Sequence, residues 1–445
     1  MNELNNPNSP APTSRRDFLK KTSATVAGGA LLGGLTLERS AFAAGSDTLK
    51  IALIGCGGRG SGAADQALST SGGVKLIAMA DAFEDKLQGS LGNLKKQHAD
   101  RVEVPKENQF VGFDAYKQAI ALADVVILAT PPGFRPIHFE EAVKQGKNIF
   151  MEKPVATDAT GVRRVLAAAE EAKKKNLKVG VGLQRHHQLG YIETMNRLWD
   201  GGIGQITSMR CYWNGTTPWV HPRAELESKY GRKLTEMEYQ MRNWYYFVWI
   251  CGDHIVEQHI HNLDVINWLK KGHPVRAHGM GGVEVRKGPD YGEIFDHHAV
   301  EFEYADGSRC FSQCRHINGC WDNVSEHAVG TKGEVDISGY RISGENAWRF
   351  RGGGKNPYQQ EHDDLFEAIR NNKQYNEAEY GAHSTMTAIF GRMATYSGKV
   401  IEWDAAINSK LSVMPERFAW DAETPNKPRP DGWYDHAVPG KTRVI

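Results

Sequence analysis

The 445-residue sequence predicts an α/β protein: a doubly wound parallel sheet in the N-terminal part, then an α+β part with a large, open, mostly antiparallel sheet. Three observations predict it. Up to residue 183, short near-continuous apolar runs alternate with amphipathic helical stretches, the pattern of parallel strands buried on both faces. A glycine-rich turn, Gly55-Cys56-Gly57-Gly58-Arg59-Gly60, joins the first of these runs to the first helix. Beyond about residue 184 the strands alternate polar and apolar residues, as over 298–304, which suits a sheet with one face toward water.

The elements follow in order. Strands are expected over 51–54, 74–80, 125–129, 148–151 and 177–183. Helices between them open at 62–68 and run over 138–145 and the charged, amphipathic 161–175. In the second half, helices are expected over 191–199 and 254–269, strands over 298–304 and 330–337, and closing helices over 361–370 and 383–397. Residues 405–445 hold five prolines together with Trp420, Trp433 and Tyr434, and read as an extended arm laid over the surface. The expected organisation is a nucleotide-binding domain over 48–183, a substrate and oligomerisation domain over 184–404, and the arm over 405–445.

The first 43 residues read as an address. Ser14-Arg15-Arg16-Asp17-Phe18-Leu19-Lys20 is a twin-arginine export signature, followed by an uncharged stretch of 16 residues over 22–37 and by Ala41-Phe42-Ala43, a small-residue cleavage site. The uncharged stretch is glycine-rich and shorter than the roughly 20 apolar residues that span a bilayer. The expectation is a periplasmic protein, handed folded to the twin-arginine export machinery. The full chain carries a net charge of +1, and cleavage after Ala43 would leave −1. Such a balance offers no electrostatic reason to bind nucleic acid or an anionic membrane. Six cysteines without a C-x-x-C pair exclude a disulfide scaffold, and the Cys310, Cys314, Cys320 cluster matches no zinc spacing.

The glycine turn has the G-x-G-x-x-G form. Gly55, Gly57, Gly58 and Gly60 permit a tight turn, close approach of a pyrophosphate to the backbone, and close packing of helix on strand. The helix N-terminus then offers unpaired N–H groups to the phosphates beside Arg59. Asp81 ends the second strand, 21 residues past Gly60. A carboxylate there accepts hydrogen bonds from both ribose hydroxyls and repels a 2′-phosphate, and Ala82 and Phe83 after it bring no arginine. The expected cofactor is NAD rather than NADP.

Lys153 follows a parallel strand and so emerges at its carboxyl end, where open α/β sheets bind ligands. Glu257 and His261, four apart on one expected helix, would share a face, so that the carboxylate orients the imidazole and raises its basicity. His254 and Asp264 fall on that same face, whereas His259 points away. His254, Glu257 and His261 could also converge on a metal ion, but H-x-x-E-x-H has neither zincin nor inverzincin spacing, and no metal is expected.

Further stretches carry a resemblance. Ala129-Thr130-Pro131-Pro132 with His138, followed by Glu152-Lys153-Pro154, resembles the A-T-P…H…E-K-P run of the Gfo/Idh/MocA oxidoreductases. The stretch from Gly252 to Asp264 is similar to that family's G-G-x-x-x-D-x-G-x-H-x-x-D helix, and Tyr396-Ser397-Gly398-Lys399 with Trp403-Asp404 is similar to its C-terminal end. The resemblance implies a Rossmann domain in which Thr130, Pro131, Pro132, His138, Glu152 and Lys153 join the glycine turn around NAD. It further implies His261 as general base, Lys153 positioning the alcohol, and Glu257 where the family has an orienting aspartate. Two departures are the longer glutamate arm at 257 and His259 in place of a small residue.

Trp213, Trp219, Trp244, Tyr245, Tyr246, Phe247 and Trp249 make an aromatic-rich stretch suited to the apolar faces of a sugar ring, with Arg185, His186, Tyr191 and His254 available for its hydroxyls. The expected substrate contacts are Lys153, Arg185, His186, Tyr191, Trp244, Tyr245, His254 and His261. The expected activity is NAD-dependent oxidation or reduction of a secondary hydroxyl on a sugar, glycoside or polyol, with NAD held tightly and recycled in place. Redox-neutral glycoside cleavage on the same fold and a non-catalytic sugar or nucleotide sensor are the alternatives. A homo-oligomer, dimer or tetramer, is expected.

Overall fold

The computed structural model describes residues 48–445; the export signal read in residues 1–43 lies outside them. Six strands, β1 (Thr48–Ile54), β2 (Gly73–Asp81), β3 (Gln109–Val111), β4 (Val125–Leu128), β5 (Asn148–Met151) and β6 (Val179–Val181), form one sheet in the order β3-β2-β1-β4-β5-β6. Every pairing is parallel. The order reverses between β1 and β4, which opens a crevice at the carboxyl ends of those strands, the place where doubly wound sheets bind ligands. Helices α1 (Gly58–Leu68), α2 (Glu84–Gln97), α3 (Ala115–Leu122), α4 (Arg135–Lys144) and α5 (Ala159–Lys174) follow the strands. Leu49, Ile51 and Leu53 of β1 enter one core with α1 and α2, while Ala52 and Ile54 enter another beneath α3, α4 and α5. Burial on both faces explains the uninterrupted apolar runs of the sequence.

After α6 (Leu189–Trp199) the chain builds a nine-stranded sheet. Its strands are β7 (Ile206–Gly215), β8 (Arg276–Gly282), β9 (His297–Glu303), β10 (Arg309–His316), β11 (Asn323–Gly330), β12 (Gly333–Asp336), β13 (Arg341–Gly344), β14 (Trp348–Arg349) and β15 (Ile401–Glu402), in the order β14-β13-β12-β11-β7-β10-β9-β8-β15. β7 and β10 pair in parallel and the other pairs are antiparallel. Residues 330–337, expected as a single strand, turn at Thr331 and Lys332 and divide between β11 and β12.

Short helices α7 (Arg223–Tyr230), α8 (Glu236–Arg242) and α9 (Val248–Cys251) lie between β7 and the segment expected as one helix over 254–269. That segment is instead two helices, α10 (His254–Glu257) and α11 (Ile260–Lys270). The break is made by contacts to β10: Gln258 Oε1 bonds His316 Nε2 at 2.6 Å, and the buried His259 Nε2 bonds Ser312 Oγ at 2.7 Å. At the break the main-chain bonding changes, with His259 N donating to His254 O, five residues back, at 3.2 Å.

Helices α12 (Pro357–Arg370) and α13 (Ala378–Ser397) follow the large sheet. α12 packs its Leu365, Phe366 and Ile369 into the core of the parallel sheet beside α1, rather than over the antiparallel one. α14 (Trp403–Ile407) is the last helix of the described residues, and the chain beyond it carries neither helix nor strand.

Candidate active site

The glycine turn is built by close contact. Gly55 sits at φ 95° and its N–H donates to Ala80 O at 2.8 Å, which ties the end of β1 to β2. A Cβ at Gly60 would collide with the carbonyl oxygen of Gly55, whereas Gly57 and Gly58 face open space. Gly57 caps α1 without a side-chain bond, so the first-turn N–H groups point into that space. Asp81 lies beside them: Oδ2 accepts from Cys56 N at 2.6 Å and Oδ1 from Phe83 N at 2.9 Å. Burial raises its carboxyl above the usual range, and the two amides oppose that rise.

A cavity of about 690 Å³ runs from this turn to the second half of the chain. It is lined by Gly55, Gly57, Gly58, Arg59, Gly60, Asp81, Thr130, Pro131, Pro132, His138, Glu152 and Lys153, the residues expected around the cofactor. A bare glycine cradle, an open helix N-terminus and a strand-end carboxylate fit a dinucleotide with its ribose at Asp81 and its pyrophosphate over Gly57 and Gly58. Arg59 pairs with Glu152 and donates to Gln66 at 2.9 Å. Buried His138 bonds Thr130 Oγ1 at 3.2 Å, and burial beside Arg135 lowers its pKa to about 3. Arg135 itself holds the strand ends together, donating to the carbonyls of Glu152 (2.9 Å), Leu128 (2.6 Å) and Thr130 (2.6 Å).

Lys153, Glu257 and His261 line the same cavity. Lys153 Nζ donates to the main-chain oxygen of Glu257 at 2.7 Å and lies 3.3 and 3.4 Å from its carboxylate oxygens. The two side chains are only 13% and 15% exposed. Burial raises the Glu257 carboxyl above its usual range, and Lys153 opposes the rise. His261 stacks on Trp213, with ring centres 5.8 Å apart. Burial first, then the positive charges of Lys153, Arg185 and Arg59, hold its pKa well below the usual range, so the imidazole is neutral. Its Nδ1 is buried without a partner, which leaves Nε2 as the accessible nitrogen.

Several expectations are corrected. Glu257 does not orient His261: the helix breaks between them and the carboxylate turns to Lys153. His254 is fully buried, bonded through Nδ1 to Asp253 at 2.9 Å and packed on His316, and does not reach the cavity. Nor does it meet Glu257 and His261 as a metal set. Among the described residues the metal-type grouping is Asp253, His254 and His298, where Asp253 already accepts bonds from His254, Phe295 N and Tyr396.

Of the other expected substrate contacts, Trp244 lines the cavity but Arg185, His186, Tyr191 and Tyr245 do not. Arg185 and Tyr191 are committed to the buried Glu326. His186 bonds Asp264 at 2.8 Å and stacks between Trp268 and Tyr380, and Tyr245 is buried. Residues that the sequence did not single out for the site also line it: Tyr358 of α12, and Phe83, Lys86, Phe113, His221, Met241 and Arg242. The arginine missing beside Phe83 in sequence is thus supplied in space by Arg242, 3.9 Å over the Phe83 ring. It is already paired with Asp85 and Glu238.

Residues 49–181 match the family model GFO_IDH_MocA, described as oxidoreductase family, NAD-binding Rossmann fold. The matched residues are those of the nucleotide-binding domain, so the similarity to that family is carried by the parallel sheet and its helices. Curated relatives include inositol 2-dehydrogenases of Ralstonia nicotianae, 29% identical over 226 residues, and of Cereibacter sphaeroides, 30% identical over 222 residues. Each match covers 50% of this chain and 54% of the relative, so the chain spans about half the length of the curated relatives it matches. Among solved structures, aldose-aldose oxidoreductase from Caulobacter crescentus, complexed with glycerol, superposes with a TM-score of 0.62 at 18% identity. Scyllo-inositol dehydrogenase from Lactobacillus casei, with NAD(H) and scyllo-inositol, does so at 0.58 and 19%. Both cover 80% of this chain and 99% of the neighbour, a likeness of fold.

Proposed function

We propose that this protein is an NAD-dependent oxidoreductase that acts on a secondary hydroxyl of a neutral sugar or sugar-like polyol. The observation that carries the reading is the opening of the Lys153 ammonium and the His261 imidazole, 108 positions apart in the sequence, into the same cavity as the glycine turn and Asp81. When bound, the nicotinamide ring supplies the hydride acceptor. Lys153 donates a hydrogen bond to the substrate oxygen and stabilises negative charge developing there, with Glu257 fixing the ammonium. His261, kept neutral by its surroundings, takes the hydroxyl proton at Nε2. The family names of the relatives, inositol and aldose enzymes, point to the same class of alcohol.

Neutrality of the substrate follows from charge pairing. Lys153 is matched by Glu257 and Arg59 by Glu152, so the cations beside the proposed place of the hydroxyl are paired, while Lys86, which also lines the cavity, lies toward Asp81 at the ribose end. The twin-arginine signature supports export to the periplasm. Free NAD is expected to be scarce there, which favours a cofactor inserted before export, retained, and regenerated in place by a second sugar. The outward rows of the large sheet expose Met280 and Phe311, the latter between Arg210 and Glu301 of the neighbouring strands, with Trp321 packed on Tyr212, a mixed apolar and charged face suited to a second copy of the chain.

Incubation of the NAD-loaded protein with inositols, aldoses and disaccharides tests the proposal. A keto product with reduced nicotinamide is expected. Free monosaccharides without net reduction would replace it with glycoside cleavage, and no reaction across the panel would favour a sensor.

A further inference from the structure

The nucleotide cavity is walled by more than the loops of the parallel sheet. Trp219, His221, Met241, Arg242 and Trp244, all from the segment 216–246, line it together with the glycine turn. Their position is set by contacts at the ribose end, immediately after Asp81. The Arg242 guanidinium lies 3.9 Å over the Phe83 ring and 4.1 Å over that of Tyr230. It donates to Tyr230 Oη at 2.7 Å and pairs with Asp85 at 3.4 Å, in the first turn of α2, and with Glu238 at 3.0 Å. The segment is therefore fastened to the helix that follows the ribose-binding strand.

A second segment grips the same rim. Trp420, in the chain beyond α14, packs on Phe83 with ring centres 5.2 Å apart and on Phe113 at 4.6 Å. Phe418 packs on Phe113 and on Phe134 at 5.1 Å. Phe83 and Phe113 themselves line the cavity. Ala82, Phe83 and Phe113 from the nucleotide domain, Met237 and Met241 from α8, and Trp420 share one apolar cluster. Three parts of the chain, remote in sequence, thus meet where the adenosine would lie.

We propose that the segment 216–246 and the C-terminal arm form a two-part clasp over the adenosine end of the dinucleotide site. Arg242 and Trp420 act as positioning residues that slow release of the cofactor. The proposal rests on the NAD-binding domain and deepens the reading of a retained cofactor. It does not need the sugar chemistry to be right. A dinucleotide held by Asp81 and roofed by the clasp leaves only after the Arg242–Asp85 bridge and the packing of Trp420 on Phe83 and Phe113 have opened.

The test is the release rate of NADH from the full-length protein, followed by nicotinamide fluorescence during a chase with excess NAD. Asp85→Asn removes one side of the bridge from a partly exposed position and is expected to speed release about fivefold. Trp420→Ala is expected to speed it about tenfold or more. Unfolding of the cofactor-free variants is measured alongside, and if Trp420→Ala does not fold, Asp85→Asn decides alone. Release rates within about twofold of the parent in the folded variants would overturn the clasp. Because no sugar is present, this failure is distinct from a failure of the proposed reaction.

Discussion

Glu257→Gln separates charge from shape at the centre of the site. The amide keeps the volume of the side chain, and Lys153 keeps its 2.7 Å bond to the main-chain oxygen, but the carboxylate 3.3 Å away is gone. Breaking a buried ion pair costs about 3–5 kcal/mol, and the surviving bond and partial exposure here bring the expected loss of stability to about 2 kcal/mol. The larger effect falls on the reaction, where a mispositioned ammonium should lower kcat/KM by about a hundredfold. The pH profile gives the sharper readout. Burial raises the Glu257 carboxyl above its ordinary value of 4.5, so as pH falls it takes up a proton while surface glutamates are still charged. The parent enzyme should therefore lose activity along an acid limb lying above 4.5, and the glutamine variant should lack that limb. His261, held well below its usual 6.5, stays neutral as pH falls through that value. Superimposable profiles, with kcat/KM within about threefold of the parent, would refute the role given to the pair.

His261→Ala should cut turnover by about a thousandfold or more while NADH still binds, as read by nicotinamide fluorescence. Gly60→Ala drives a methyl group into the Gly55 carbonyl and should cost about 1–3 kcal/mol in denaturant unfolding, with weakened NADH binding. Stability should also depend on pH through buried neutral histidine. His138 titrates at about 3 in the fold against an ordinary 6.5, so the unfolded chain binds the extra proton between those values. Its contribution is full above 6.5 and declines progressively as pH drops toward 3, and the unfolding midpoint of His138→Gln should show a shallower decline over that window.

The parts of the site readable in the sequence are those made by short-range geometry. A glycine turn between strand and helix, a carboxylate at the end of the next strand, and a lysine directly after β5 are each fixed by one strand-to-helix passage, and the sheet order then brings them to one edge. The face shared by His254, Glu257 and His261 depended on an unbroken helix. That helix is broken by His316 and Ser312 of β10, more than 50 positions downstream, and nothing in its own periodicity records those partners. The place of Arg242 and Trp420 at the cavity rim escaped notice for a similar reason. Their neighbours at Phe83 and Phe113 are distant in sequence, and a basic side chain at a helix end or an aromatic one in an extended arm carries no sign of what it will cover. Helix α12 looked like the close of the second domain, yet its apolar stripe completes the parallel sheet and brings Tyr358 to the cavity.

The central claim is that a carbinol carbon, with its hydroxyl held between Lys153 and His261, faces the nicotinamide held by the glycine turn. The most direct measurement traces a deuterium placed on the carbinol carbon of a sugar or polyol that the protein oxidises through a single turnover of the NAD-loaded protein. The account predicts that the nicotinamide recovered after denaturation carries the label, and that His261→Ala protein mixed in the same way yields unlabelled NAD. Label released to water, or retained in the product while the nicotinamide stays unlabelled, would contradict it.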